Sequence, residues 1–232
     1  MKKALSGTGA LVLALSLSSG AAWADEPGPD SASVMTAAET PFELFSEDIE
    51  TTPQADESIL MESSDMTITA ETGSAWREGL DGGAYLLDEE GDYLLTVSAP
   101  TVSTDQEATT TRWIISDNTL VADADGHSDA QLTTYAGAVL VKSVKKSSEK
   151  GKPRYLITPT KVGRATPSAI HAKTGWAQAK RKGVDRPTKG LFAQYVCHPM
   201  SQVARVKSTW NIESWRPTVG MARTVAARCN PS

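Results

Sequence analysis

Cys197, His198 and Cys229 are the residues in this chain whose types could most directly do chemistry. A thiol nucleophile needs a deprotonated sulfur and a base that reaches it through space, not merely a histidine beside it in sequence. The chain has two cysteines, and in an exported protein they have one intramolecular pairing, Cys197 with Cys229. Such a bond removes the thiol, and in the chain-entropy picture it stabilises the fold by about 3–4 kcal/mol. Two thiols and one adjacent imidazole fit no zinc pattern, so the disulfide is preferred to a metal site. His198 then reads as a structural histidine bonding a backbone group at the end of a helix. A wall-active hydrolase using His198 with Glu213 or Asp185 is the least favoured functional reading. His127 lies in Asp123-Ala-Asp125-Gly-His127, a spacing like half of a calcium loop, but Thr134 falls where the bidentate glutamate belongs. There is no phosphate-cradling glycine loop, HExxH or GxSxG. No catalytic residue, metal or cofactor is expected.

The second kind of chemistry is electrostatic. From Asp25 to Leu140 there are 25 acidic residues against Arg77 and Arg112; from Val141 to Ser232 there are 19 basic residues against Glu149, Asp185 and Glu213. The net charges of −23 and +16 are concealed within an overall −5. Opposed halves imply an interaction, either with each other or with an outside polyanion. The basic half interleaves Trp176, Trp210 and Trp215 with cations, a combination suited to anionic envelope polymer or a phospholipid surface. The contacts expected for such a partner are Lys180, Arg181, Lys182, Arg205, Lys207, Arg223 and Arg228, with Trp176. Trp210 and Trp215 are expected instead to fill a small core. The acidic half of the same chain is the other expected partner, and nucleic acid is not favoured.

These residues must be carried by elements that the sequence also suggests. Lys2 and Lys3, the apolar run Ala10 to Leu17, and Ala22-Trp23-Ala24 read as a secretory signal cleaved between Ala24 and Asp25, in preference to an uncleaved anchor. No cysteine follows the apolar run to carry a lipid. No later segment approaches the about 18 apolar residues of a membrane span, so a secreted, extracellular protein is expected. Residues 25–64 are rich in Asp, Glu, Pro, Ser and Thr and read as disordered, apart from a short motif around Phe42, Leu44 and Phe45. Residues 65–146 alternate in short β-type runs, among them Tyr93 to Val97 and Trp113-Ile114-Ile115. They read as an acidic antiparallel sheet of five or six strands. Residues 147–153 are either a linker or the tip of a hairpin joining Ala138–Val144 to Arg154–Thr158.

Residues 154–232 read as a small helical module stapled by the disulfide. One helix runs Gly175 to Lys182, capped by Thr174 and stopped by Gly183. A second opens at Pro187, with Leu191/Tyr195 and Phe192/Val196 as its stripe, and Pro199 ends it. A third runs Pro217 to Cys229 and buries Val219, Ala222, Val225 and Ala226. The fold class expected is α+β.

Gly175-Trp176, Cys197-His198, Trp210-Asn211, Trp215-Arg216-Pro217, Val219-Gly220 and Cys229-Asn230-Pro231 occur in that order. In this pattern, from about Tyr155 to Ser232, the chain resembles a family of C-terminal domains of secreted actinobacterial proteins catalogued as a domain of unknown function. The loop Met200 to Lys207 carries two extra basic residues with no counterpart in the pattern. The acidic part, through GGAYLLDEEGDYLLTVSAP and TRWIISDNTL, more weakly resembles β-rich regions that precede small secreted cationic effectors. These resemblances imply a compartment and an architecture, and no activity. The expectation for function is therefore a non-enzymatic secreted protein. Its acidic part would act as a pro-region or mask for a basic module that binds anionic envelope material, with possible antagonism toward other cells. The alternative is an unprocessed, envelope-associated adhesion or structural module.

Overall fold

A computed structural model describes residues 42–45, 49–104, 107–123 and 130–232; the expected signal peptide with its cleavage site at Ala24 and Asp25, most of the acidic leader, and the His127 turn lie outside them. Among the described residues the molecule is mostly β, and its helices are confined to the basic half, so α+β fits only loosely. Among the described residues no helix is long and apolar enough to cross a membrane.

The acidic half folds as β1 (Phe42–Phe45), β2 (Glu50–Pro53), β3 (Ile59–Ser63), β4 (Thr67–Ala70), β5 (Ala75–Glu78) and β6 (Ala84–Leu87). It continues as β7 (Tyr93–Val97), β8 (Thr101–Ser103), β9 (Ala108–Thr110), β10 (Trp113–Ser116), β11 (Thr119–Ala122) and β12 (Gln131–Gly137). One sheet runs β1-β4-β11-β10; the other runs β2-β3-β12-β7-β6-β5, with β8 and β9 added beside β12. Period-two alternation explains the strands. On β3, Ile59 and Met61 point inward while Leu60 and Glu62 are only half-buried, and β4 and β6 alternate likewise. Ile68, Leu120 and Trp113 of the first sheet meet Met61, Leu86, Val97 and Leu132 of the second in one apolar core. The turns carry the acidic residues that the pattern assigned to them; Asp81 and Asp117 adopt the left-handed conformation that Asp tolerates in tight turns.

This corrects two expectations. Residues 50–63 are ordered as β2 and β3, not part of a disordered leader, because Ile59 and Met61 find a sheet to bury them even within an acidic, proline-bearing stretch. The sheet system also has twice the expected strands, since several runs are only three or four residues long.

The basic half begins earlier than expected. β13 (Val141–Glu149) and β14 (Lys152–Pro159) form a hairpin whose tip, Lys150-Gly151, has both residues at positive φ. Residues 147–153 are thus a hairpin end and not a linker. β15 (Trp210–Glu213) adds to β14, giving a three-stranded sheet β13-β14-β15, of which the expectation held only the two hairpin arms and not β15. The helices are α1 (Lys161–Ala165), α2 (Ser168–Ile170), α3 (Trp176–Arg181), α4 (Lys189–Met200), α5 (Gln202–Arg205) and α6 (Met221–Ala226). A π-helical turn, His171–Gly175, joins α2 to α3, so Thr174 lies inside a helical run and caps nothing. The N-cap of α4 is Thr188, whose hydroxyl accepts the Leu191 N–H; Pro199 sits inside its last turn. Gly183, at φ +134°, does end the run after α3.

The two halves meet through buried bonds as well as charges. The hydroxyls of Thr96 and Thr166 share a buried hydrogen bond of 2.8 Å, and the Leu80 N–H donates to the Ala165 carbonyl at 2.9 Å. Thr160 holds the crossing segment by donating its hydroxyl to the Val139 carbonyl at 2.6 Å. Gln178 completes the grip: its side-chain oxygen accepts the N–H groups of Leu140 and Val141, and its amide donates to the Ala138 carbonyl.

Candidate functional site: the basic surface and the core beneath it

The core of the basic half is built from polar and aromatic groups that fix one another. Cys197 and Cys229 are bonded, with Cα atoms 5.5 Å apart, and each is about 1 % exposed. No free cysteine remains, so a thiol nucleophile is not available. His198 donates from Nδ1 to the Gln194 carbonyl one turn earlier, at 2.7 Å, and stacks on Trp210. It is the structural histidine that the sequence suggested. Burial, opposed by that bond and aided by nearby Lys207, pushes its pKa down to about 4.

His171 was not singled out by the sequence, yet it sits at the centre. Its Nε2–H must donate to the Gly163 carbonyl at 2.7 Å, because a carbonyl only accepts; its Nδ1 therefore accepts from the Tyr195 hydroxyl at 2.7 Å. Burial holds the ring neutral, lowering its pKa to about 4 against the opposing effect of the Gly163 bond. The ring also meets Trp210 edge-on. Gly175 makes this possible: a Cβ there would lie 2.4 Å from the Tyr195 hydroxyl and 2.6 Å from His171 Nδ1. The glycine of the Gly175-Trp176 pair was the available signal, since a glycine inside a helical run costs about 1 kcal/mol unless something approaches closely. Gln194 acts as a strand partner for β15, accepting the Glu213 N–H and donating to the Glu213 carbonyl.

The carboxylates of a hydrolase reading are committed elsewhere. Glu213 is buried and pairs with Arg216 and, at 3.5 Å, with Arg154. Asp185 bonds Lys146 and accepts the Tyr155 hydroxyl; those two bonds, Lys146 first, hold its pKa down at about 2. Neither is among the bonded partners of His198.

The expected contact cations divide into free and committed groups. Lys180, Arg181, Lys207, Arg223 and Arg228 are exposed and form no ion pair among the described residues. Lys182 is half-buried and paired with Glu57 at 3.1 Å. Arg205 is a clear correction: it is buried, and it pairs with Asp81 at 2.8 Å, a partner too distant in sequence to foresee. Trp176 is also corrected, because its ring packs on Phe192 and Tyr195 as part of the core and offers little to a ligand. Trp210 fills the core as expected, but Trp215 lies near the hairpin tip with Lys150 3.7 Å and Arg216 4.3 Å from its ring centre. The expected third helix starts only at Met221 and buries Thr224, leaving Ala222, Val225 and Ala226 exposed. Small apolar residues at helical spacing gave it a stripe that has no core to face. Arg223 and Arg228 are exposed as anticipated.

With this arrangement in view, the comparison with known families is informative. Residues 141–232 match the family described as protein of unknown function (DUF2599). The DUF2599 match starts at Val141, ahead of the Tyr155 start expected, and so takes in β13 and the whole three-stranded sheet. Similar curated proteins are the uncharacterized protein Mb0487 of Mycobacterium bovis and the uncharacterized proteins MT0495 and Rv0477 of Mycobacterium tuberculosis. Each is 32% identical over 84 residues, which cover 34% of this chain and 57% of the relative's own length. No solved structure matches the chain.

Proposed function

We propose that this is an exported, non-enzymatic protein whose basic C-terminal domain binds anionic cell-envelope material while its acidic β-domain covers part of the basic surface. The observation that carries the reading is the division of the cations. Lys173, Lys182 and Arg205 are paired across the joint with Asp92, Glu57 and Asp81, whereas Lys180, Arg181, Lys207, Arg223 and Arg228 have no such partner among the described residues. An anionic polymer or surface would replace solvent counterions at those five, an attraction that salt screens.

The buried threonine pair and the Gln178 grip support a mask that stays attached over one that is shed. A cut at the hairpin tip, residues 147–153, would leave β13 on the acidic piece and part Val141 from the basic core, so a shed pro-region is only the second reading. N-terminal sequencing of secreted material separates them: chains beginning only near residue 25 support the attached mask.

Binding itself is tested with the exported chain and anionic vesicles or wall polymer over a salt series. Replacing Lys180, Arg181, Lys207, Arg223 and Arg228 together by Ala should weaken binding strongly and flatten its salt dependence, at about 1 kcal/mol or less per cation. Unchanged binding in that variant would leave the charge division as a solubility device and end this reading.

A further inference from the structure

Met200, Val203 and Val206 are 51 %, 75 % and 74 % exposed, on a segment that the fold holds firmly. They ride on α5 and its flanks as a small knob. Ser201 caps its start by accepting the Ala204 N–H at 3.3 Å. The Arg164 guanidinium gathers the carbonyls of Arg205, Lys207 and Ser208, while Arg205 donates to the Pro199 carbonyl and pairs with Asp81. Every one of these restraints acts on the backbone or on a cation, so the knob is gripped by its polar side and its apolar side is left in water. Isolated exposed valines need no explanation, but three exposed apolar side chains within seven residues of a pinned segment do.

The rim of the knob is cationic. Lys207 follows Val206 and has no ion pair, and Asp81 at the base is already neutralised by Arg205. The disulfide brings Arg228, also exposed, to the end of α4 that carries Met200, one turn beyond Cys197. Ile114 and Val121, cross-strand neighbours on β10 and β11, are exposed too, but they belong to the acidic half, where an anionic surface would be repelled.

We propose that this knob is where the domain enters an anionic phospholipid bilayer. Met200, Val203 and Val206 pass into the boundary between headgroups and acyl chains, and Lys207 and Arg228 remain at the level of the phosphates. Apolar groups flanked by cations are the composition that such an interface selects. A soluble polyanion would satisfy the cations equally well but offers nothing to the three apolar side chains. The inference rests on the reading that the basic domain meets an anionic envelope surface, and narrows that surface to lipid.

The test uses the full exported chain, sedimented with vesicles of phosphatidylcholine with and without phosphatidylglycerol, and in parallel titrated with polyphosphate. The wild type should bind the phosphatidylglycerol vesicles. The variant Met200→Ser/Val203→Ser/Val206→Ser should lose about tenfold to a hundredfold in vesicle affinity while binding polyphosphate as before. Because all three side chains are exposed, its melting temperature should not move. Equal vesicle binding by variant and wild type overturns the bilayer proposal, as does equal weakening toward vesicles and polyphosphate. Wild-type protein that binds polyphosphate but no vesicle overturns it while leaving the envelope reading intact; binding to neither ends both.

Discussion

The two halves of this molecule solve the same problem with different means. The acidic half makes its core mainly from alternation: Met61, Ile68, Leu86, Leu120 and Leu132 come inward because neighbouring residues go outward. The basic half, with 92 matched residues and a small sheet, ties its core together with bonded polar side chains, although the Trp210 Nε1–H inside it has no partner among the described residues. His171 bridges Tyr195 and Gly163, Gln194 pairs with β15, and a disulfide ties α4 to the segment after α6. A core held by specific bonds is rigid and sensitive to chemistry; a core held by pattern is insensitive to it.

Acid should break this symmetry most strongly. His171 and His198 have folded-state values near 4, below the 6.5 of an unfolded histidine, so the unfolded chain takes up protons first as pH falls. Their contribution is fully present above pH 6.5 and is lost as pH falls toward 4. Between pH 7 and 4.5 the basic half should lose up to about 5 kcal/mol from the two together. Near-UV circular dichroism of the tryptophans during thermal melts at each pH would show it. The described part of the acidic half contains no histidine and lacks this loss. A flat profile for the basic half would mean that the two rings are not held neutral.

Removing the staple comes next. Cys197→Ser/Cys229→Ser should cost the basic half about 3–4 kcal/mol, seen as a lower denaturant midpoint, while strand signals of the acidic half persist. Simultaneous loss of both would show that the joint makes one cooperative unit of them.

The smallest effects concern the joint itself and sharpen the contrast between charge and burial there. Thr96→Val leaves the buried Thr166 hydroxyl without this partner and should cost about 1–2 kcal/mol. Lys182→Ala removes a partly exposed ion pair with Glu57 and should cost at most about 0.5 kcal/mol, less in salt. Chemical denaturation of both variants at two salt concentrations gives the comparison. If the lysine matters more, the charge division and not the buried bonding holds the halves together.

Legibility in the sequence follows the same line. Strands such as Tyr93–Val97 and Trp113–Ser116 were readable because β-branched and aromatic content bounded by turn residues is a local signal. The cysteine pairing was readable because only one exists. β2 and β3 were hidden by their acidic, proline-bearing composition, although Ile59 and Met61 already alternated. β15 was hidden because four residues carry too short a pattern, and its edge is completed by a glutamine side chain from α4. Arg205 was beyond local reasoning, since its role depends on Asp81 arriving from elsewhere in the chain, and for His171 the one local trace was Gly175. Of the expected contact cations, those with no acidic partner across the joint stay exposed; Lys182 and Arg205, paired with Glu57 and Asp81, do not.

The grip of Gln178 on residues 138–141 has a mechanical consequence. A pull between the two halves would load this short crossing together with the buried bonds and ion pairs of the joint. There the load meets three hydrogen bonds of one glutamine side chain, together with the Thr160 hydroxyl on Val139, before it reaches the first rung of the β13–β14 ladder. Bonds strained side by side share force, whereas a ladder opened from its end yields one rung at a time. The crossing therefore acts as a strain relief, protecting the hairpin from being unzipped by the half that pulls on it.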